Sequence, residues 1–278
     1  MKVDLDNKTI SFRQSWLDTA MRCPEEGRLA MVKDWDQTSD EAFIGTATHA
    51  GIEYVINGGS VAEGRGMVAA EYSTNPEAQD LVFTKRTSIA ECVDLSVKCF
   101  DAFANELLPT LPAGRAEVGF KVPLFEYKGW NISAEGTIDF VPDEGNYLMD
   151  WKTAGSKYQQ KAKQKWAIQP TIYTTAAVLG ALGREFTFPM DFHYGIAIKT
   201  QRPYIQRVHV QRTEAHMRWA VHRIKSLVDL YINAGVESSW PQIDEGNYLC
   251  SPKWCSYYSI CRGAFIDQEH DLFGYVPK

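Results

Sequence analysis

The chain has 278 residues, of which 45% are hydrophobic and 23% charged, enough for one large or two small globular domains with a buried core. No run approaches the roughly 18–20 apolar residues of a membrane span, and the N-terminus has no apolar secretion signal, so we expect a cytoplasmic protein. The net charge of −6 disfavours a broadly basic nucleic-acid-binding surface, although a bound metal ion can supply positive charge locally.

The first third of the chain is predicted to be helical, because its apolar residues recur at helical spacing. Gly58 and Gly59 are expected to end the second helix. Cys92 and Cys99 lie on or beside the apolar stripe of the third, which predicts small buried residues. The predicted helices span residues 12–32, 46–57 and 86–108.

The middle of the chain changes to the alternating pattern of strands, separated by turns rich in glycine, asparagine and aspartate. Strands are predicted at 115–126, 131–142, 147–153, 190–199 and 203–211, with helices at 157–182 and 213–235. The fold class is therefore α/β (α+β), a mixed sheet of about five strands flanked by helices. We expect a single domain over residues 1–278, divided into a helical part (1–112), a core (113–236) and a cysteine-rich segment (237–278).

Hairpin register brings two carboxylates of the middle strands together. If residues 143–146 form the loop, Asp139 lies opposite Asp150, and Lys152 shares their face because side chains alternate along a strand. Like charges at this distance repel unless something neutralises them, and a divalent ion such as Mg²⁺ does so while binding phosphate. The three residues alone are also compatible with an ordinary surface Asp–Lys pair.

Four short motifs in order resemble the PD-(D/E)xK nuclease superfamily, and in particular its RecB-like exonucleases, whose core resembles restriction endonucleases. They are Gly45-x-x-x-His49, Gly136-x-x-Asp139, Asp150-x-Lys152 and Gln169-x-x-x-Tyr173. Each motif is weak alone, but their order and their strand and helix contexts match the family. The resemblance extends over residues 15 to 263.

The resemblance implies a role for each matching residue. His49, Asp139, Asp150 and the carbonyl of Trp151 would bind Mg²⁺ or Mn²⁺, as one or two ions, and Lys152 would be the catalytic lysine. Gln169 and Tyr173, four apart on one helix face, would support the site and contact DNA. Glu117 is a further candidate for the site. Pro170 predicts that the helix either starts near Ile168 or kinks there.

The cysteines suggest a second metal group. Cys23, Cys250, Cys255 and Cys261 resemble the layout of the iron–sulfur members of this branch, such as the AddB-type and CRISPR-adaptation nucleases, which implies a [4Fe–4S] cluster joining the two ends of the chain. Structural zinc is the alternative, followed by free thiols. Because the loop it would close is long, we expect a structural staple rather than an electron carrier.

The expected function is a DNA exonuclease that hydrolyses phosphodiester bonds by a two-metal mechanism, in recombination, repair or phage DNA processing. No phosphate-loop motif is present, so a helicase or recombination protein would be a separate partner. Two alternatives stay open: a CRISPR-adaptation nuclease that trims spacer DNA, and a catalytically silent DNA-binding or assembly protein. Lys157, Lys161, Lys163 and Lys165 are either a DNA-binding segment or a solvated helix face.

Overall fold

The computed structural model describes residues 1–33, 38–244 and 246–266. The chain divides into two compact units: Met1, Ser15–Trp35 and Arg223–Lys278 form one, and Lys2–Gln14 with Asp36–His222 form the other. The single nuclease domain and its three-part division stay a prediction, and residues 245 and 267–278 of the cysteine-rich segment lie outside the described residues. No helix in the described ranges is long and apolar enough to span a membrane.

A mixed seven-stranded sheet forms the centre of the larger unit. Its hydrogen-bonded path runs β1-β2-β4-β5-β6-β7, and β3 lies off this path, paired with β4. The β2–β4 and β5–β6 pairs are parallel and the others antiparallel. The strands are β1 (Lys2–Asp4), β2 (Thr9–Arg13), β3 (Gly114–Tyr127), β4 (Trp130–Pro142), β5 (Tyr147–Ala154), β6 (Met190–Ile198) and β7 (Tyr204–Arg212).

The helices flank this sheet or belong to the smaller unit. Short 3₁₀ turns occur at Pro76–Ala78 and Leu108–Thr110. The α-helices are α1 (Gln14–Arg22), α2 (Pro24–Val32), α3 (Asp40–Ile56), α4 (Val61–Thr74), α5 (Ile89–Glu106), α6 (Gln160–Trp166), α7 (Ile168–Val178), α8 (Glu214–Ala234) and α9 (Tyr258–Ile266). The predicted class, a central mixed sheet flanked by helices, is confirmed.

The sheet has two more strands than the five predicted. Residues 9–13 form β2 because Ile10 and Phe12 are buried against β4, with which β2 pairs more than 100 positions away in sequence. The predicted helix 12–32 therefore begins only at Gln14, and it breaks at Cys23, where Pro24 starts α2 without an amide donor. The pairing of β2 with β1 is local, but its longer pairing, with β4, is long-range and leaves no signal in the local sequence.

Two further helix predictions need correction. Helix α4 was missed, although Ser60 and Glu63 form a capping box that marks its start. The predicted helix 157–182 is two helices separated by Ala167, whose backbone is extended, so that Pro170 falls in the first turn of α7, where proline is tolerated.

The core of the larger unit contains the side chains of α3, α4 and α5 together with residues of β4 and β5. The indole of Trp151 packs between Phe103 and Phe140, with ring centroids 5.1 and 5.9 Å away. Cys92 and Cys99 are fully buried in this core, which confirms the prediction that they are small core residues. This packing therefore fixes the position of β5 on either side of Trp151, where Asp150 and Lys152 lie.

Candidate active site and cysteine cavity

Strands β4 and β5 meet in the predicted register. Phe140 and Met149 are partners, which places Asp139 opposite Asp150. Beyond this pair, the Trp151 amide donates to Asp139 Oδ2 at 2.7 Å instead of to a backbone carbonyl of β4. Asp139 and Asp150 are buried, with 7% and 0% of their surface exposed. The two carboxylates therefore lie side by side in the interior, next to the point where a β4 side chain accepts the hydrogen bond of a β5 amide.

Asp150 is the most enclosed of the site residues. Its Oδ1 accepts a hydrogen bond from Gln169 Nε2 at 2.7 Å, and its Oδ2 lies 2.7 Å from Lys152 Nζ. Apart from that ion pair, Oδ2 has no hydrogen-bond partner among the described residues. Burial, and then the charge of Asp139, raise the pKa of Asp150 to about 7. A buried carboxylate oxygen with coordination capacity left is what a divalent cation requires.

Lys152 is the cation of the site. Burial alone would lower its pKa, but the charges of Asp150 and Asp139 outweigh that effect and hold the pKa above the usual lysine range. The side chain is 31% exposed, so the ammonium lies beside the buried carboxylates and still reaches solvent. Lys152 is therefore a protonated donor in the metal-free protein.

His49 reaches the carboxylates from α3. Its Nε2 lies 3.0 Å from the Trp151 carbonyl, and since a carbonyl only accepts, this nitrogen carries the proton of the bond. In the neutral ring Nδ1 is then unprotonated, and it lies 3.7 Å from Asp139 Oδ2 and 3.9 Å from Glu117 Oε1. Ligand atoms of these three side chains all lie within 4.8 Å of one another, a spacing suited to one metal ion. The Trp151 carbonyl, predicted as a ligand, bonds to His49 here, and its role toward metal stays a prediction.

Glu117 stands on β3 in a strained backbone conformation. Its neighbours Ala116 and Val118 pair with Phe140 and Ile138, so Glu117 lies across from Asp139. Its φ of +49° is in the left-handed region, which costs a non-glycine residue on the order of 1 kcal/mol or more. Such strain is concentrated at functional sites. The strained backbone therefore holds Glu117 next to Asp139 and His49.

Gln169 and Tyr173 share one face of α7, as their spacing predicts. Tyr173 is hydrogen-bonded to Gln169 and packs edge-on against Phe120, with ring centroids 5.6 Å apart. Burial and the charge of Asp150 raise the pKa of Tyr173, so the phenol stays neutral. Gly136 leaves space for this packing, since a Cβ there would lie 3.1 Å from the Phe120 ring. The pair supports Asp150 from the side of α7.

The start of α3 is anchored by another buried carboxylate, that of Asp40. Asp40, fully buried, accepts hydrogen bonds from the Thr84 hydroxyl and from the backbone amides of Thr84, Lys85 and Arg86. These bonds outweigh the cost of burial and lower its pKa from 3.8 to about 2. The helix that carries His49 is thereby fixed to the loop before α5.

Glu53, which the sequence analysis did not name, is exposed on α3. Partial burial, and then the charge of Glu117, raise the pKa of its carboxyl, so it interacts with the acidic cluster without being enclosed in it. It follows His49 by four positions on α3, so both lie on one helix face. That spacing was the available signal.

The four predicted cysteines line one cavity of the smaller unit. Cys23, Cys250, Cys255 and Cys261 share its wall with Arg22 and Arg262. The Arg262 guanidinium donates to Cys250 Sγ at 3.3 Å. Burial raises the pKa of the Cys255 thiol to about 11. Thiols from both ends of the chain are thus gathered around one space.

The lysines after β5 are held against aromatic rings. Lys163 Nζ lies 4.0 Å from the ring centroid of Tyr158, and Lys165 Nζ lies 4.5 Å from that of Trp166. Trp166 is 62% exposed, and Lys161 is exposed on the same short helix, α6. Cations beside an exposed indole are a combination found in proteins that bind single-stranded nucleic acid.

Comparison with known proteins identifies the family. The model of the PD-(D/E)XK nuclease superfamily matches residues 14–262. The chain belongs to this superfamily. The superfamily implies DNA as the class of substrate and divalent metal as the usual cofactor.

Two solved structures are similar to the chain. A crystal structure named "Putative exonuclease", from Eubacterium rectale, covers 100% of this chain and 97% of its own, with 16% sequence identity and a TM-score of 0.55. The crystal structure of SSO0001 covers 89% of this chain and 95% of its own, with 13% identity and a TM-score of 0.34, on which nothing below depends. At this identity the first likeness shows the fold alone. No curated protein sequence matches.

Proposed function

We propose that the protein is a metal-dependent deoxyribonuclease that hydrolyses phosphodiester bonds from DNA ends. One observation carries the proposal: the wholly buried Asp150 faces a second buried carboxylate, Asp139, and the two share one lysine, Lys152. Like charges enclosed at this distance repel unless cations neutralise them, and one ammonium leaves a negative charge that a divalent metal ion would neutralise. Membership in a nuclease superfamily gives this arrangement its chemical meaning.

The donor set fits Mg²⁺ or Mn²⁺. His49 Nδ1, Glu117, Asp139 and Asp150 offer one imidazole and three carboxylates, and oxygen-rich ligands are those that these ions prefer. When bound, one or two ions would neutralise the carboxylates and polarise the scissile phosphate. Trp151, through its carbonyl, remains part of the proposed metal site.

The protein's own side chains divide the remaining work. Lys152 enters as an ammonium, because the neighbouring carboxylates raise its pKa. We therefore favour a role in stabilising negative charge on the phosphoryl oxygens over one as a base. Gln169 fixes the orientation of Asp150, and Tyr173 holds Gln169. The lysines and Trp166 near α6 supply cationic and aromatic contacts for a DNA strand.

We propose further that Cys23, Cys250, Cys255 and Cys261 hold a [4Fe–4S] cluster, as in the iron–sulfur members of the RecB-like branch. The four thiols line one cavity. Four and then five residues separate Cys250, Cys255 and Cys261, whereas zinc-binding cysteines are typically two to four residues apart, which favours the cluster over zinc.

Cleavage of end-labelled DNA tests the nuclease proposal. Single- and double-stranded linear substrates and a covalently closed circle are incubated with Mg²⁺ or Mn²⁺ and with the wild type, Asp150→Ala or Lys152→Ala. We expect cleavage of linear DNA only, reduced at least about 1,000-fold in both variants, since each removes charge from the reacting centre. The matched controls are Asp94→Ala and Lys98→Ala, an exposed ion pair on α5, which should cut like the wild type.

Each other outcome has a defined meaning. Equal cleavage by the wild type and both site variants would assign the activity to a contaminant and overturn the proposal. Cleavage of the circle by the wild type but not by the variants would retain the nuclease and reject the requirement for DNA ends. No cleavage of any substrate would favour a catalytically silent DNA-binding or assembly protein.

A further inference from the structure

A second group of metal-ligating side chains lies on β6 and β7, outside the carboxylate site. His193 and His209 are directly opposite each other in the antiparallel ladder, and Asp191 precedes His193 by two residues on the same strand face. The neighbouring Phe192 and Tyr194 are buried on the other face. Asp150 aligns with Tyr194 and not with His193, so the histidines point away from the carboxylate site.

The three side chains converge. Ligand atoms of Asp191, His193 and His209 all lie within 4.8 Å of one another. The imidazole rings stack with centroids 4.8 Å apart and an interplanar angle of 25°. His209 Nε2 lies 3.0 Å from Asp191 Oδ1 and is hydrogen-bonded to it. A metal ion between these two atoms would replace that proton and bind both.

Neighbouring side chains hold this arrangement in place. Gln211 Nε2 donates to Asp191 Oδ1 at 3.1 Å, and Tyr147 packs edge-on against His193 with centroids 5.1 Å apart. Outer contacts of this kind orient metal ligands and raise affinity. Arg207, two residues before His209 on β7, donates to the Glu106 carbonyl and the Thr110 hydroxyl and not to Asp191.

We propose that Asp191, His193 and His209 bind one Zn²⁺ ion. Two imidazoles and one carboxylate form a ligand set that suits zinc, whereas Mg²⁺ requires oxygen ligands. Asp191 and His209 are 41% and 47% exposed, which leaves room for water as a fourth ligand. The ion would join β6 to β7, the last strand on the path of the sheet.

Zinc binding to the full chain tests the proposal. The wild type is compared with the double variant His193→Gln/His209→Gln and with Asp191→Asn, which keeps its shape but loses its charge. We expect the double variant to bind one equivalent of Zn²⁺ less, and Asp191→Asn to bind that equivalent at least about tenfold more weakly. With Co²⁺ as a probe, the double variant should lack one set of visible absorption bands.

Stability gives a second measurement that does not depend on DNA cleavage. At a zinc concentration of 100 times the dissociation constant, the melting temperature of the wild type should rise about 5 °C more than that of the double variant. His222→Gln, on α8 and outside the cluster, is the control and should behave as the wild type. Equal zinc stoichiometry in the wild type and the double variant would overturn the proposal. Because Asp150 and Lys152 are untouched, cleavage can fail or persist independently of this result.

Discussion

The carboxylate site and the cysteine cavity both gather ligands, but neighbouring protein groups support them differently. At the carboxylate site the negative charge is partly offset from within: Lys152 lies 2.7 Å from Asp150, and Gln169 and the Trp151 amide donate to Asp150 and Asp139. In the cavity, burial raises the pKa of Cys255 to about 11, and Arg262 is the guanidinium that donates to a described thiol, Cys250.

This difference indicates which of the two, the carboxylate site or the cysteine cavity, needs its metal in order to fold. A carboxylate pair with its own lysine and amide donors can form before an ion arrives, so metal there serves chemistry. The cavity thiols come from residues 23 and 250–261, whose segments are joined by bonds such as that from the Glu25 amide to the Pro241 carbonyl, and a metal group bound by the thiols would add folding energy of its own. Three predictions test this contrast, from the largest expected effect to the smallest.

Removal of one cavity thiol should have the largest effect. Cys255→Ala should lose the iron-bound group and as much as about 5 kcal/mol of the free energy of unfolding, the upper end of what closing a long loop contributes. Iron and sulfide analysis, visible absorbance and denaturant unfolding measure the effect, with Ser256→Ala as the neighbouring control. If Cys255→Ala keeps the metal content and stability of the wild type, the cavity holds no structural cluster.

A change at Gln169 should affect catalysis without affecting the fold. Gln169→Ala removes the hydrogen bond to Asp150 Oδ1 and should lower kcat about 10–100-fold, the usual cost of losing an outer contact to a metal ligand. The melting temperature should stay within a few degrees of that of the wild type. Gln160→Ala, at the exposed start of α6, is the control. If Gln169→Ala unfolds instead, the protein groups around the carboxylate site hold it in place no better than those around the cysteine cavity hold the thiols.

Asp40 tests how far the carboxylate site depends on the placement of α3. Asp40→Asn should cost about 2.5 kcal/mol at neutral pH, since the pKa falls from 3.8 to about 2 on folding and each unit corresponds to about 1.4 kcal/mol. A depressed pKa stabilises the fold above the unfolded value, so the cost should be complete above about pH 5 and disappear as the pH falls through 2. Unfolding curves of both proteins across this range measure it. A cost that does not change with pH would assign it to packing.

Local patterns determined much of this protein. The turn residues 143–146 set the register that opposes Asp139 to Asp150, and a spacing of four set Gln169 and Tyr173 on one helix face. These features follow from periodicity over a few residues, which any stretch of chain carries in itself. The five central strands were predictable for the same reason.

Only the tertiary structure decided the rest. Two of these features join residues that are far apart in sequence: the pairing of β2 with β4 and the bond from His49 to the Trp151 carbonyl. A third, the left-handed backbone of Glu117, depends on neighbouring strands that are distant in sequence. The same is true of the cavity around Cys23 and of the opposed histidines on β6 and β7. Their geometry depends on how elements pack, because long-range contacts leave no period in the local sequence. The sequence thus determined which residues the carboxylate site contains, and packing decided how they face one another.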